Sequence, residues 1–110
     1  MAAKNRADPV ERHTFNCALL NASYQVVSSG GFAKDLAVYK LYNGSLQDID
    51  ISFDGATDHD VIPAGGTFIF DIQANKEGNR AAWPAGRELF VKGTASAGTL
   101  YESGYTISRI

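Results

Sequence analysis

The chain has 110 residues, a formal net charge of -2, 11% aromatic residues and a single cysteine. That length suits one ordinary domain with a core of its own. The charge supplies no basic field for nucleic acid, and one Cys excludes an internal disulfide framework and a Cys-based zinc site.

Residues 1–13 read as an N-terminal arm. They carry Lys4, Arg6, Asp8, Glu11 and Arg12 with almost nothing apolar besides Val10, and the composition allows a segment that orders against a partner. Asp8-Pro9-Val10-Glu11 also has the form of a short helix start over 9–13. With no apolar h-region or long apolar run, neither a signal peptide nor a membrane span is expected, and the chain is read as made in a cytosol.

From 14 onward the pattern is that of one β-domain, 14–110. Phe15, Cys17 and Leu19 alternate over Thr14–Leu20, and Tyr24 and Val26 over Ser23–Ser28. Cys17 reads as a small buried apolar side chain. Leu36–Tyr42 has apolar residues on both faces, which predicts a central strand covered on both sides. Asn43-Gly44 predicts a tight turn. In Asp48–Asp54, Ile49, Ile51 and Phe53 alternate with polar residues, and Phe68 and Phe70 repeat the pattern in Thr67–Ile72. Between them lies an acidic loop closed by Pro63-Ala64-Gly65-Gly66.

The polar stretch 75–84 ends in the only Trp, Trp83, which reads as a plug over the core rim. Arg87–Lys92 has Leu89 and Val91 inward. Thr99–Ile107 is the last strand, with Tyr101, Tyr105 and Ile107 on one face. About seven short strands without a long helix predict an all-β antiparallel sandwich or jelly roll with an extended N-terminal arm.

The carboxylates invite a metal reading, with Asp48 and Asp50 on one strand face and Asp54, Asp58, His59 and Asp60 in the loop. A calcium-loop template begun at Asp50 is met at Ser52, Asp54 and Gly55, but Val61 stands where the closing Glu is required. Asp in such turns bonds its own backbone, so the cluster reads as architecture. The sequence lacks a phosphate loop, a nucleophile elbow and paired His. No catalytic residue, metal or cofactor is expected, and no nucleic acid or membrane partner.

Three runs resemble a family of small structural proteins of tailed bacteriophages. They are Lys40-Leu41-Tyr42-Asn43-Gly44, then Ile49 to Asp60, then Ile62-Pro63-Ala64-Gly65-Gly66. Pro84-Ala85-Gly86, Phe90-Val91-Lys92-Gly93 and Gly98-Thr99-Leu100-Tyr101 extend the likeness over about 36–107. The resemblance implies a non-enzymatic virion component on the capsid surface. It would be a decoration (cement) protein that binds the major capsid protein across subunits as a dimer or trimer. A head–tail adaptor or tail component is the alternative. Partner contacts are then expected from Lys4, Arg6, Val10 and Arg12 in the arm, and from Tyr42, Asp58, His59, Trp83 and Tyr101. A carbohydrate-binding module is a further reading, which requires Trp83, Tyr42 and Tyr101 to share one open face.

Overall fold

A computed structural model describes residues 5–71 and 82–109. Nine strands are present among the described residues: β1 (Asn5–Pro9), β2 (His13–Asn16), β3 (Gln25–Val26), β4 (Val38–Asn43), β5 (Ile49–Ser52), β6 (Asp60–Ile62), β7 (Thr67–Asp71), β8 (Phe90–Gly93) and β9 (Thr99–Arg109). One sheet runs β1-β9-β4-β7, with β2 also on β9, and the other runs β3-β8-β5-β6. Every pairing is antiparallel. β1 and β2 follow one another along the same edge of β9. Counted as one broken strand, they complete the eight-strand order of a jelly roll, two four-stranded sheets over one core.

The break between β1 and β2 is a bulge. Pro9 pairs with Tyr105 and His13 with Glu102, so three residues on one strand oppose two on the other. The Val10 N–H still reaches the Gly104 carbonyl, 3.1 Å away. The segment read as an arm is therefore β-paired within the chain over Asn5–Pro9, because β9 continues past Tyr105 and offers it a ladder. No helix forms over 9–13.

Alternation places the core as the sequence predicts. Ile49, Ile51, Val91, Leu89 and Ile62 face inward from one sheet; Phe15, Tyr39, Leu41 and Leu100 face them from the other. Each such side chain contributes about 1.5–3 kcal/mol through burial. Cys17 is buried as expected, and burial pushes its thiol pKa up. Leu19 departs from the predicted alternation. A 3-10 turn over Cys17–Leu19, capped by the Asn16 side chain, swings it into solvent.

Asn43 is more than a turn residue. Its side chain is buried, and its Nδ2 donates to the carbonyls of Gln47 (2.7 Å), Ile62 (3.0 Å) and Pro63 (3.2 Å). Its Oδ1 accepts from the Ser45 N–H and hydroxyl. The end of β4 is thereby tied to the end of β6 and to the turn that leads into β5 of the opposite sheet. Gly44 and Gly98 meet beside it; a Cβ on Gly98, which has φ +113°, would lie 2.2 Å from the Gly44 oxygen.

Two further expectations change. β4 is central in its sheet, but its outward side chains Val38, Lys40 and Tyr42 are half-buried or exposed. A two-layer sandwich covers only one face of each sheet, so apolar residues on both faces of β4 do not mean cover on both. The acidic loop also contains a strand, β6, too short at three residues to show a period.

Candidate functional site

Register on the outer face of the first sheet gathers side chains from three strands, β4, β7 and β9. Tyr42 lies opposite Tyr101 on β9 and Thr67 on β7, and Lys40 lies opposite Ser103 and Ile69. One step further along, Val38 lies opposite Tyr105 and Asp71. The rings of Tyr42 and Tyr101 stack with centroids 6.2 Å apart. The Arg12 guanidinium covers the far side of Tyr101, 5.1 Å from its centroid, and the Lys40 ammonium sits 5.5 Å from that of Tyr105.

Arg12, Lys40, Tyr42, Tyr101, Thr67 and Ile69 line a shallow depression of about 390 Å³ with Ser103 and Leu41, and among the described residues no carboxylate lines it. Tyr42 is 45% exposed and Ile69 61%, both high for large apolar side chains on a sheet face. Neither Arg12 nor Lys40 is ion-paired among the described residues. The site is a rigid, aromatic, locally cationic surface on a chain with an excess of acid.

Of the partner-contact residues expected from sequence, the structure brings together Arg12, Tyr42 and Tyr101. Lys4 and the Arg6 side chain lie outside the described residues. Val10 is half-buried and packs against the chain's own core.

Asp58 and His59 sit over the other sheet. The Asp58 carboxylate accepts from the Tyr24 hydroxyl and pairs with Lys92 at 3.0 Å, and the Tyr24 bond holds its pKa below the usual range. His59 Nδ1 accepts from the Phe53 N–H at 3.0 Å. Asp54 accepts from the N–H groups of Thr57 and Ala56 and from the hydroxyls of Thr57 and Ser52, which hold its carboxyl well below the usual range. The acidic loop spends its carboxylates on its own chain, as the turn chemistry predicts.

Trp83 is 6% exposed and stacks on Tyr39 at 4.1 Å, as the core plug its position suggests. It does not share the open face of Tyr42 and Tyr101, so the three-ring platform required for sugar stacking is not formed.

Lys40, Ile69, Ser103 and Tyr105 complete the face and were missed as site residues. Strand alternation gives their side; their grouping needs the β4–β9 and β4–β7 registers, which no local signal encodes.

A scan against protein-family models, a search of curated proteins and a search of solved structures each returned no match.

Proposed function

We propose that the chain is a non-enzymatic structural component of a tailed-phage virion, a capsid decoration protein that binds across coat-protein subunits and stabilises the head. It is made in the host cytoplasm and resides on the capsid surface as a homo-oligomer, with the outer face of the β2-β9-β4-β7 sheet as its contact surface.

One observation carries the reading. Tyr42 and Ile69 are held exposed on a rigid sheet beside the Arg12–Tyr101 stack, in the aromatic, aliphatic and arginine composition that protein interfaces favour. The motifs behind the phage resemblance support it as scaffold. They fall at the Asn43 corner and the Ile62–Gly66 approach to β7, which lead into this face, and in the self-bonded Ser52–Thr57 turn of the opposite sheet. Modest interfaces repeated over many copies of a shell add up to firm attachment.

The test is co-sedimentation of purified protein with phage heads that lack it. Wild-type protein is expected to pellet with heads, and a Tyr42→Ser/Ile69→Ser variant that keeps its unfolding midpoint is expected to stay in the supernatant. Equal pelleting of the two removes the face from the proposal. Imaging of the bound particle distinguishes a shell position from the tail vertex, where an adaptor would sit.

A further inference from the structure

We propose that the depression beside Tyr42 and Tyr101 docks an extended acidic segment of a protein partner, with carboxylates of that segment paired to Arg12 and Lys40. The inference rests on the reading of this face as the contact surface, and names the chemistry that meets it.

Charge selects the partner's sign. Among the described residues, two cations flank a depression whose lining holds no carboxylate, and neither cation has an ion-pair partner. Asp71, a carboxylate on the same face, lies beyond the depression opposite Val38 and has an interaction of its own. A carboxylate bound here therefore meets two unspent cations, and Arg12 presents a fork suited to bidentate pairing.

Spacing selects an extended chain. Arg12 is held over Tyr101 and Lys40 over Tyr105, rings four residues apart on one strand. At about 3.3 Å per residue that is about 13 Å. An extended peptide with acidic residues at i and i+4 places both carboxylates on one side at the same separation. The side chain at i+2 then falls over Ser103, where little bulk opposes it, with Ile69 and Tyr42 beside it as an apolar wall. Because both cations are already seated on rings, ordering them on binding costs less entropy than ordering free side chains.

Ring geometry argues against bases and sugars. Tyr101 has Tyr42 on one flank and Arg12 on the other, and the Tyr105 face carries Lys40. Stacking ligands need open ring faces, and two cations make no continuous phosphate track.

The probe is a fluorescein-labelled nonapeptide of alternating Thr and Val with Asp at its third and seventh positions, titrated against the whole protein. Saturable binding is expected, with backbone amide shifts centred on Lys40, Ser103 and Tyr105. Replacing both Asp by Asn, or the protein's cations in an Arg12→Gln/Lys40→Gln variant, is expected to weaken binding about tenfold or more. The proposal is overturned by no saturable binding, by equal binding of the Asn peptide, by shifts that map to the β3-β8-β5-β6 sheet, or by tighter binding of oligothymidylate at the same amides.

Co-sedimentation with phage heads separates this inference from the reading beneath it. If Tyr42→Ser/Ile69→Ser abolishes head binding while Arg12→Gln/Lys40→Gln preserves it, the face stands and the acidic partner falls. If neither variant changes head binding, both fall.

Discussion

His13 and Glu102 face each other across the β2–β9 pair, with Nδ1 of the imidazole 2.7 Å from Oε1 of a carboxylate that is only 1% exposed. The other carboxylate oxygen accepts from the Tyr39 hydroxyl, itself fully buried. A charged group in the inner layer is thus held by one partner from each neighbouring strand, beside the bulge at Val10–Arg12. Phe32 stacks on the imidazole at 4.1 Å and fixes its plane. Removing either donor leaves a carboxylate oxygen buried without compensation. His13→Ala and Tyr39→Phe are each expected to destabilise the fold by about 2 kcal/mol, read as a lower urea midpoint with unchanged slope. The double variant should fall short of or exceed the sum, since both act on one group.

Stability should fall at both ends of the pH scale for identifiable reasons. Asp54 and Asp58 have depressed pKa values in the fold, so their contribution is present above about pH 3.9 and is lost as pH falls through the folded values. Tyr39 is raised by burial and then by the Glu102 charge, and Tyr24 by desolvation and then by its bond to Asp58. Their contribution is present below about pH 10 and is lost as pH rises above it. Thermal unfolding across pH should show a plateau between these limits. Asp54→Asn should flatten the acid limb, and Tyr24→Phe the alkaline one.

Trp83 separates packing from polarity. Its ring meets Tyr39, Phe53 and Phe70 and carries the Arg87 guanidinium at 4.7 Å, while its buried Nε1 has no hydrogen-bond partner among the described residues. Trp83→Ala should cost about 3–5 kcal/mol through the cavity it leaves. Trp83→Phe should cost clearly less, because the lost N–H is unpaired in the fold. Chemical denaturation followed by circular dichroism reads both without relying on Trp emission.

The Asn43 corner should be as sensitive as the apolar core. Asn43→Ala strands the buried Ile62 carbonyl and the part-buried ones of Gln47 and Pro63, and is expected to cost about 3 kcal/mol. Gly98→Ala meets both a positive φ and the Gly44 backbone, and should be comparably damaging. Hydrogen exchange at Ser45 and Gly65 would report the loosening of the corner, since both N–H groups bond Asn43.

Much of the fold was legible because its inner layers follow period two. Ile49 and Ile51 on β5, Phe53 just after it, and Leu89 and Val91 before and within β8 face inward where alternation puts them. What escaped was long-range. The β1 ladder depends on a partner strand at the far end of the chain, and β6 is fixed by pairing with Ile49–Ile51, not by its own three residues. Asn43 looked like a turn former because its Gly44 neighbour supplies that signal, whereas its buried role needs three carbonyls from elsewhere. The outer face follows the same rule: Tyr42 and Tyr101 can be named from sequence as partner-contact residues, but only register brings Lys40, Ser103 and Ile69 to them.

The pairing of Asn5 with Arg109 sets an order on synthesis. The partner of β1 lies roughly a hundred residues downstream. At about 5–20 residues per second, a ribosome takes on the order of ten seconds to supply it. β2 waits for the same strand, and so does the outer face, whose middle row is β9. A nascent chain can pair β4 with β7 and β5 with β6 early, yet it displays no Arg12–Tyr101–Tyr42 stack until β9 has left the exit tunnel. A partner that recognises that stack therefore meets only chains whose translation has passed β9.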